Sequence, residues 1–176
     1  HVSYSKDKIV IDKLPLNIIH AAEISYFFPS AKFILALRNP YDVVLSCFMQ
    51  QFGPNRATIN FTSIEETAKL YDLVMNLWFI YIDKFNLEIH QIKYENVVKN
   101  FELTIKNLLN FLDLEWSEKL LNFNKTALKR GIINTPSSSQ VNQPLYNKSI
   151  DRWKNYENQF NKVKIILDKW VVKFNY

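Results

Sequence analysis

The alternation of apolar and polar positions divides the chain into short strands and longer amphipathic helices. Ile9-Val10-Ile11 is a β-branched run that predicts a strand, ended by Asp12-Lys13-Leu14-Pro15. From Pro15 to Phe28, apolar residues at Leu16, Ile18, Ile19, Ala22, Ile24, Phe27 and Phe28 have helical spacing, with proline in the first turn and Pro29-Ser30 as the stop. Phe33 to Leu37 is five apolar residues without a polar break, the pattern of a strand buried on both faces of a parallel sheet. Arg38 stands where that strand ends. Asn39-Pro40 then forms a helix start, with Asn as cap and Pro at the first helical position. Tyr41, Val44, Leu45 and Phe48 continue on one helical face until Gly53-Pro54 breaks it.

Further along, residues 55–62 form a polar loop, and Thr62-Ser63 with Glu65 and Glu66 opens a long helix to about residue 86. Its stripe of Leu70, Leu73, Val74, Leu77, Trp78, Tyr81, Ile82 and Phe85 is that of a core-facing helix. Residues 88–93 alternate and predict a strand closed by Tyr94-Glu95-Asn96. Helices are expected over 101–112, 117–123, 150–156 and 158–174, and the breaker-rich run from Thr135 to Pro144 reads as a loop. Strands alternating with helices predict an α/β fold: a parallel sheet flanked by helices, with a helix-rich carboxyl-terminal half.

The 176 residues are expected to form one domain, 1–176, and 48% hydrophobic content with 15% aromatics excludes disorder. The net charge of +5 and a pI near 9.2 favour an anionic partner. No stacking platform or recognition helix points to nucleic acid, and no run has the length of a membrane span. One cysteine, Cys47, excludes an internal disulfide framework and a cysteine-cluster metal site, and its place in an apolar helical pattern predicts a buried thiol. A strand ending in arginine before a capped helix is a natural oxyanion site. On the residues alone, however, a surface ion pair of Arg38 with Asp42, four residues on, is the preferred reading.

Three separated segments carry a resemblance. Residues 12–17 (Asp-Lys-Leu-Pro-Leu-Asn) together with 28–46, residues 94–96, and residues 135–157 resemble, in order, the PAPS-dependent sulfotransferases. The likeness is to the branch of tyrosylprotein sulfotransferases and bacterial enzymes with tetratricopeptide repeats upstream. The resemblance implies a P-loop-like α/β sheet and 3′-phosphoadenosine-5′-phosphosulfate (PAPS) as sulfuryl donor. It places Arg38 and Ser46 on the nucleotide's 3′-phosphate, chemistry that a planar guanidinium and a hydroxyl donor suit. It places Lys13 and Ser137 beside the transferring group, where negative charge grows on the leaving oxygen. Tyr94 matches the tyrosine next to the nucleotide. Ser138, Gln140, Val141 and Asn147 match the loop that wraps it, and Arg152 matches a basic phosphate contact.

There are departures. The family's second basic contact falls near Gln50, which is uncharged, and the glycine-rich 5′-phosphosulfate loop has no counterpart: the only glycines are Gly53 and Gly131. The chain is therefore read as the carboxyl-terminal part of a sulfotransferase domain lacking the first strand-loop-helix, supplying the 3′-phosphate half of the site and inactive alone. His20, Glu23 and His90 suit a base by chemistry, but structural roles are preferred for all three. No metal is required. The expected acceptor is a hydroxyl group on a protein tyrosine, sugar or small molecule, in the cytoplasm. Competing readings are a non-catalytic domain that binds PAP-like nucleotides or a protein partner, and a kinase-like phosphotransferase.

Overall fold

A computed structural model describes residues 9–50, 52–53, 58–123, 145 and 147–176. A 3₁₀ turn, Asn17–His20, leads into α1 (Ala21–Phe27). β1 (Lys32–Leu37), α2 (Pro40–Met49), α3 (Ile64–Lys84), β2 (Glu88–Lys93), α4 (Tyr94–Lys99) and α5 (Phe101–Phe111) follow. After a 3₁₀ turn at Arg152–Tyr156 and a short helix at Glu157–Phe160, α6 (Lys164–Phe174) completes the fold.

Both long helices start where their caps dictate. The Asn39 side chain accepts the Tyr41 amide at 3.0 Å, with Pro40 in the first helical position. The Ser63 hydroxyl accepts the Glu66 amide at 3.1 Å. Each cap stabilises its helix by about 1 kcal/mol. Glu65 and Glu66 in the first turn of α3 and Lys84 in its last complement the helix dipole.

β1 and β2 pair in parallel, with Lys32 opposite Glu88 and Leu37 opposite Lys93, so the architecture is α/β. α3 is the central buttress. On one side Val74, Met75 and Trp78 pack with Leu35, Leu37, Ala21, Trp170 and Phe174. On the other, Ile64 and Ala68 join Tyr41, Val44 and Leu45 of α2 and Phe160, Val163 and Leu167 from the carboxyl-terminal helices. The long spacing of apolar residues in α3 thus serves two adjoining clusters.

Two expectations need correction. Ile9-Val10-Ile11 is not a strand; all three side chains are exposed, and no neighbouring strand among the described residues pairs with them. β1 is buried on one face only: Leu35 and Leu37 face the helices, while Ile34 is 42% exposed and Ala36 is exposed too. On the other face α5 brings Phe111 against Lys32 and His90 but leaves Ile34 and Ala36 open, so a continuous apolar run does not guarantee two fully covered faces. Tyr94-Glu95-Asn96 closes β2 as expected, and does so by opening α4 directly after Lys93.

Candidate functional site

The ladder register builds the site. With Leu37 opposite Lys93, Arg38 and Tyr94 leave the carboxyl ends of adjacent parallel strands side by side. The guanidinium carbon of Arg38 lies 5.3 Å from the centre of the Tyr94 ring, a cation–π arrangement. The next residues are joined as well: the Asn39 amide donates to Glu95 Oε1 at 2.9 Å, and Glu95 is buried. The two strand-to-helix turns are therefore locked together just beyond the sheet.

The third wall is the segment returning through residues 147–156. Arg38 Nη2 donates to the carbonyl of Ser149, and the same nitrogen is 3.9 Å from Asp42 Oδ1. Asp42 Oδ2 accepts the Asp151 amide at 2.8 Å, and Oδ1 accepts the Trp153 amide at 2.9 Å. Asp151 has φ near 60°, the left-handed turn that aims two amides at one carboxylate. Burial pushes the Asp42 carboxyl above the usual carboxylate range, opposed by the Trp153 amide, the Arg38 charge and the Asp151 amide. The Trp153 ring stacks on Tyr41, with centroids 4.3 Å apart and planes 22° apart. Tyr41 in turn donates its hydroxyl to Asp168 at 2.6 Å. Burial, reinforced by that acceptor, pushes the Tyr41 phenol upward.

The amino-terminus of α2 is not an open amide cradle. The Asn39 amide is taken by Glu95, the Tyr41 amide by the Asn39 cap and the Val43 amide by the Asn39 carbonyl, while Asp42 adds negative charge to the first turn. An anion reaching this end of the sheet would meet side chains rather than open amides. Of Arg38's five guanidinium N–H donors, Nη2 is engaged by Ser149 and the Nε is buried without a partner among the described residues, while the side chain as a whole keeps 21% of its surface exposed.

Residues 1–118 match the Sulfotransferase family. The chain belongs to the sulfotransferase family. It is also similar to an uncharacterized protein of Aquifex aeolicus (strain VF5), 30% identical over 164 residues, which are 91% of this chain and 21% of the relative. The chain thus spans about a fifth of that relative's length.

Against this sulfotransferase frame, the residues singled out from the sequence fall into separate groups. Arg38, Tyr94 and the segment carrying Asn147 and Arg152 come together, with the side chains of Asn147 and Arg152 exposed. Ser46 is exposed on α2, two turns beyond the cap. Lys13 is exposed ahead of the first helical turn, outside the contacts among described residues that join Arg38, Tyr94 and residues 149–153. Ser137, Ser138, Gln140 and Val141 lie outside the described residues.

Other candidates have structural surroundings. His20 sits 4.0 Å from Glu23 on the surface, and His90 stacks on Phe111 with centroids 5.2 Å apart. The expected Arg38–Asp42 pair exists, but Asp42 is buried rather than at the surface, with its side chain 0% exposed. Asp42, read from the sequence only as an ion-pair partner, and Glu95 both organise the site in ways the sequence did not disclose. A carboxylate amid Tyr41, Val44 and Leu45 on the apolar face of α2 was the available signal for the first.

Proposed function

We infer that this sulfotransferase-family chain supplies the nucleotide-recognition half of a site that transfers a sulfuryl group from PAPS to a hydroxyl acceptor. The supporting observation is Arg38, delivered to the carboxyl end of β1 beside the Tyr94 ring with part of its side chain still exposed. A partly exposed guanidinium beside an aromatic face suits a phosphate attached to a nucleoside.

In this reading Arg38 and Ser46 take the 3′-phosphate, and Tyr94 flanks the nucleotide. Asn147 and Arg152, with Ser138, Gln140 and Val141, enclose it. The acceptor oxygen attacks sulfur as the bond from sulfur to the bridging phosphate oxygen breaks, and the acceptor's proton leaves to a base. Negative charge grows on the departing oxygen of adenosine 3′,5′-bisphosphate (PAP), where Lys13 and Ser137 oppose it. The residues in view call for no metal in this step. The acceptor is a hydroxyl of a protein tyrosine, a sugar or a small molecule.

A second reading, nucleotide binding without transfer, draws on exposed Lys13, which takes no part in the contacts among the described residues that join Arg38, Tyr94 and residues 149–153. Sulfate transfer by the full-length protein from labelled PAPS to tyrosine peptides, sugars and phenols tests the two. Labelled product with stoichiometric PAP supports transfer, and PAP binding without turnover on any acceptor supports the second reading.

A further inference from the structure

Asp42 has no direct route to a ligand. Its side chain is 0% exposed, and its oxygens face the Asp151 amide, the Trp153 amide and Arg38. Those partners come from the two stretches that carry the nucleotide-facing groups. Residues 38–42 and 149–153 are fastened at four points: Arg38 to the Ser149 carbonyl, Asp42 to two amides, and Tyr41 against the Trp153 ring. Two of the four run through one carboxylate. A carboxylate suits this place because both its oxygens accept, whereas an asparagine would turn an NH₂ toward one of two N–H donors.

We propose that Asp42 is a positioning residue that holds Arg38 and the Asn147–Arg152 segment in a single arrangement, so that 3′-phosphate discrimination depends on a side chain the nucleotide never touches. The proposal rests on the reading of Arg38 as the 3′-phosphate ligand. It differs from a role in stability alone in one respect: loss of Asp42 lowers preference for the 3′-phosphate, while a lesion in the distant core does not.

The test uses the full-length protein and compares dissociation constants for PAP and for adenosine 5′-monophosphate, which lacks the 3′-phosphate. Amide hydrogen exchange is followed at residues 151 and 153. The variants are Arg38→Ala, Asp42→Asn, Asp151→Pro and, as a core control, Val74→Ala. Asp151→Pro removes one clamp donor and forbids a φ near 60° in an exposed turn, so it probes the clamp from its other side if Asp42→Asn does not fold. The expected result is a preference for PAP over the monophosphate that falls at least about tenfold in Arg38→Ala, Asp42→Asn and Asp151→Pro, and is unchanged in Val74→Ala. Faster exchange at residues 151 and 153 should accompany Asp42→Asn.

A lost preference in Arg38→Ala alone, with the Asp42 and Asp151 variants within about twofold of wild type, overturns the proposal. If Arg38→Ala itself keeps the preference, the phosphate reading falls. Amide exchange then decides the clamp separately: unchanged protection at residues 151 and 153 in Asp42→Asn overturns that as well.

Discussion

The backbone amide of Asn39 donates to Glu95 across 2.9 Å, joining two turns whose residues are 56 apart in sequence. This bond sets the spacing between Arg38, which precedes Asn39, and Tyr94, which precedes Glu95. Replacing Glu95 by Leu leaves a buried amide without its acceptor, at a cost of about 1–3 kcal/mol. Glu95→Gln keeps an acceptor oxygen and should cost less. Denaturant unfolding of the two variants, with exchange at the Asn39 amide, measures the difference; equal losses would remove the bond from the account.

The core prediction concerns Trp78, which is 2% exposed and packs against both strands' neighbours, while its Nε1 is buried without a hydrogen-bond partner among the described residues. Trp78→Ala should destabilise by about 3–5 kcal/mol. Trp78→Phe removes the unsatisfied donor along with part of the ring, and the two changes offset each other. Its loss should therefore be under half that of alanine in equilibrium unfolding. A phenylalanine variant as unstable as the alanine one would show that the indole's full shape is required.

The buried thiol expected at Cys47 is partly realised: the residue is half-buried, and burial pushes its thiol up to about 11, with the Arg38 charge pulling weakly the other way. Relative to an ordinary thiol at 9.0, the thiolate fraction at pH 8 is lowered by about a hundredfold. Labelling of the native protein by a disulfide reagent at pH 8 should be correspondingly slow and accelerate on unfolding. Rapid native labelling would contradict this environment.

Asp42 gives a pH signature of unusual sign. Its folded-state pKa is raised by burial, so between an unfolded value of about 3.9 and that raised value the folded state binds more protons. Its contribution to stability is therefore fully present below the unfolded pKa and lost as pH rises through the folded one. Wild type should gain on Asp42→Asn as pH is lowered across this window, with Arg38 and Asp151 the charged groups facing the carboxyl. A flat difference in unfolding free energy would place the carboxyl in the ordinary range, and one that grows with pH would place it below; either contradicts a raised Asp42.

The parts of the molecule legible in its sequence are those fixed by local chemistry. Asn39-Pro40 starts α2, Ser63 with Glu65 and Glu66 starts α3, and the run through Leu37 is the strand that delivers Arg38. What was not legible depends on distant partners. Ile9-Val10-Ile11 has strand propensity but no strand to pair with among the described residues. Ile34 looks like Leu35 in sequence and differs only in which face the helices cover. Asp42 reads as a helix-start acid and an i, i+4 partner for Arg38; its larger role comes from amides 109 and 111 residues away. The pairing of Arg38 with Tyr94 needed the ladder register, which no single segment contains.

The central claim is that Arg38 binds the 3′-phosphate of the donor nucleotide. Calorimetric titration of the full-length protein with PAP, comparing wild type with Arg38→Ala, tests it most directly. The account predicts saturable PAP binding that the substitution weakens by at least about tenfold, the contribution of a charge-assisted phosphate contact. Equal PAP affinity in the two proteins, or preferential binding of ATP with Mg²⁺ over PAP, would contradict it.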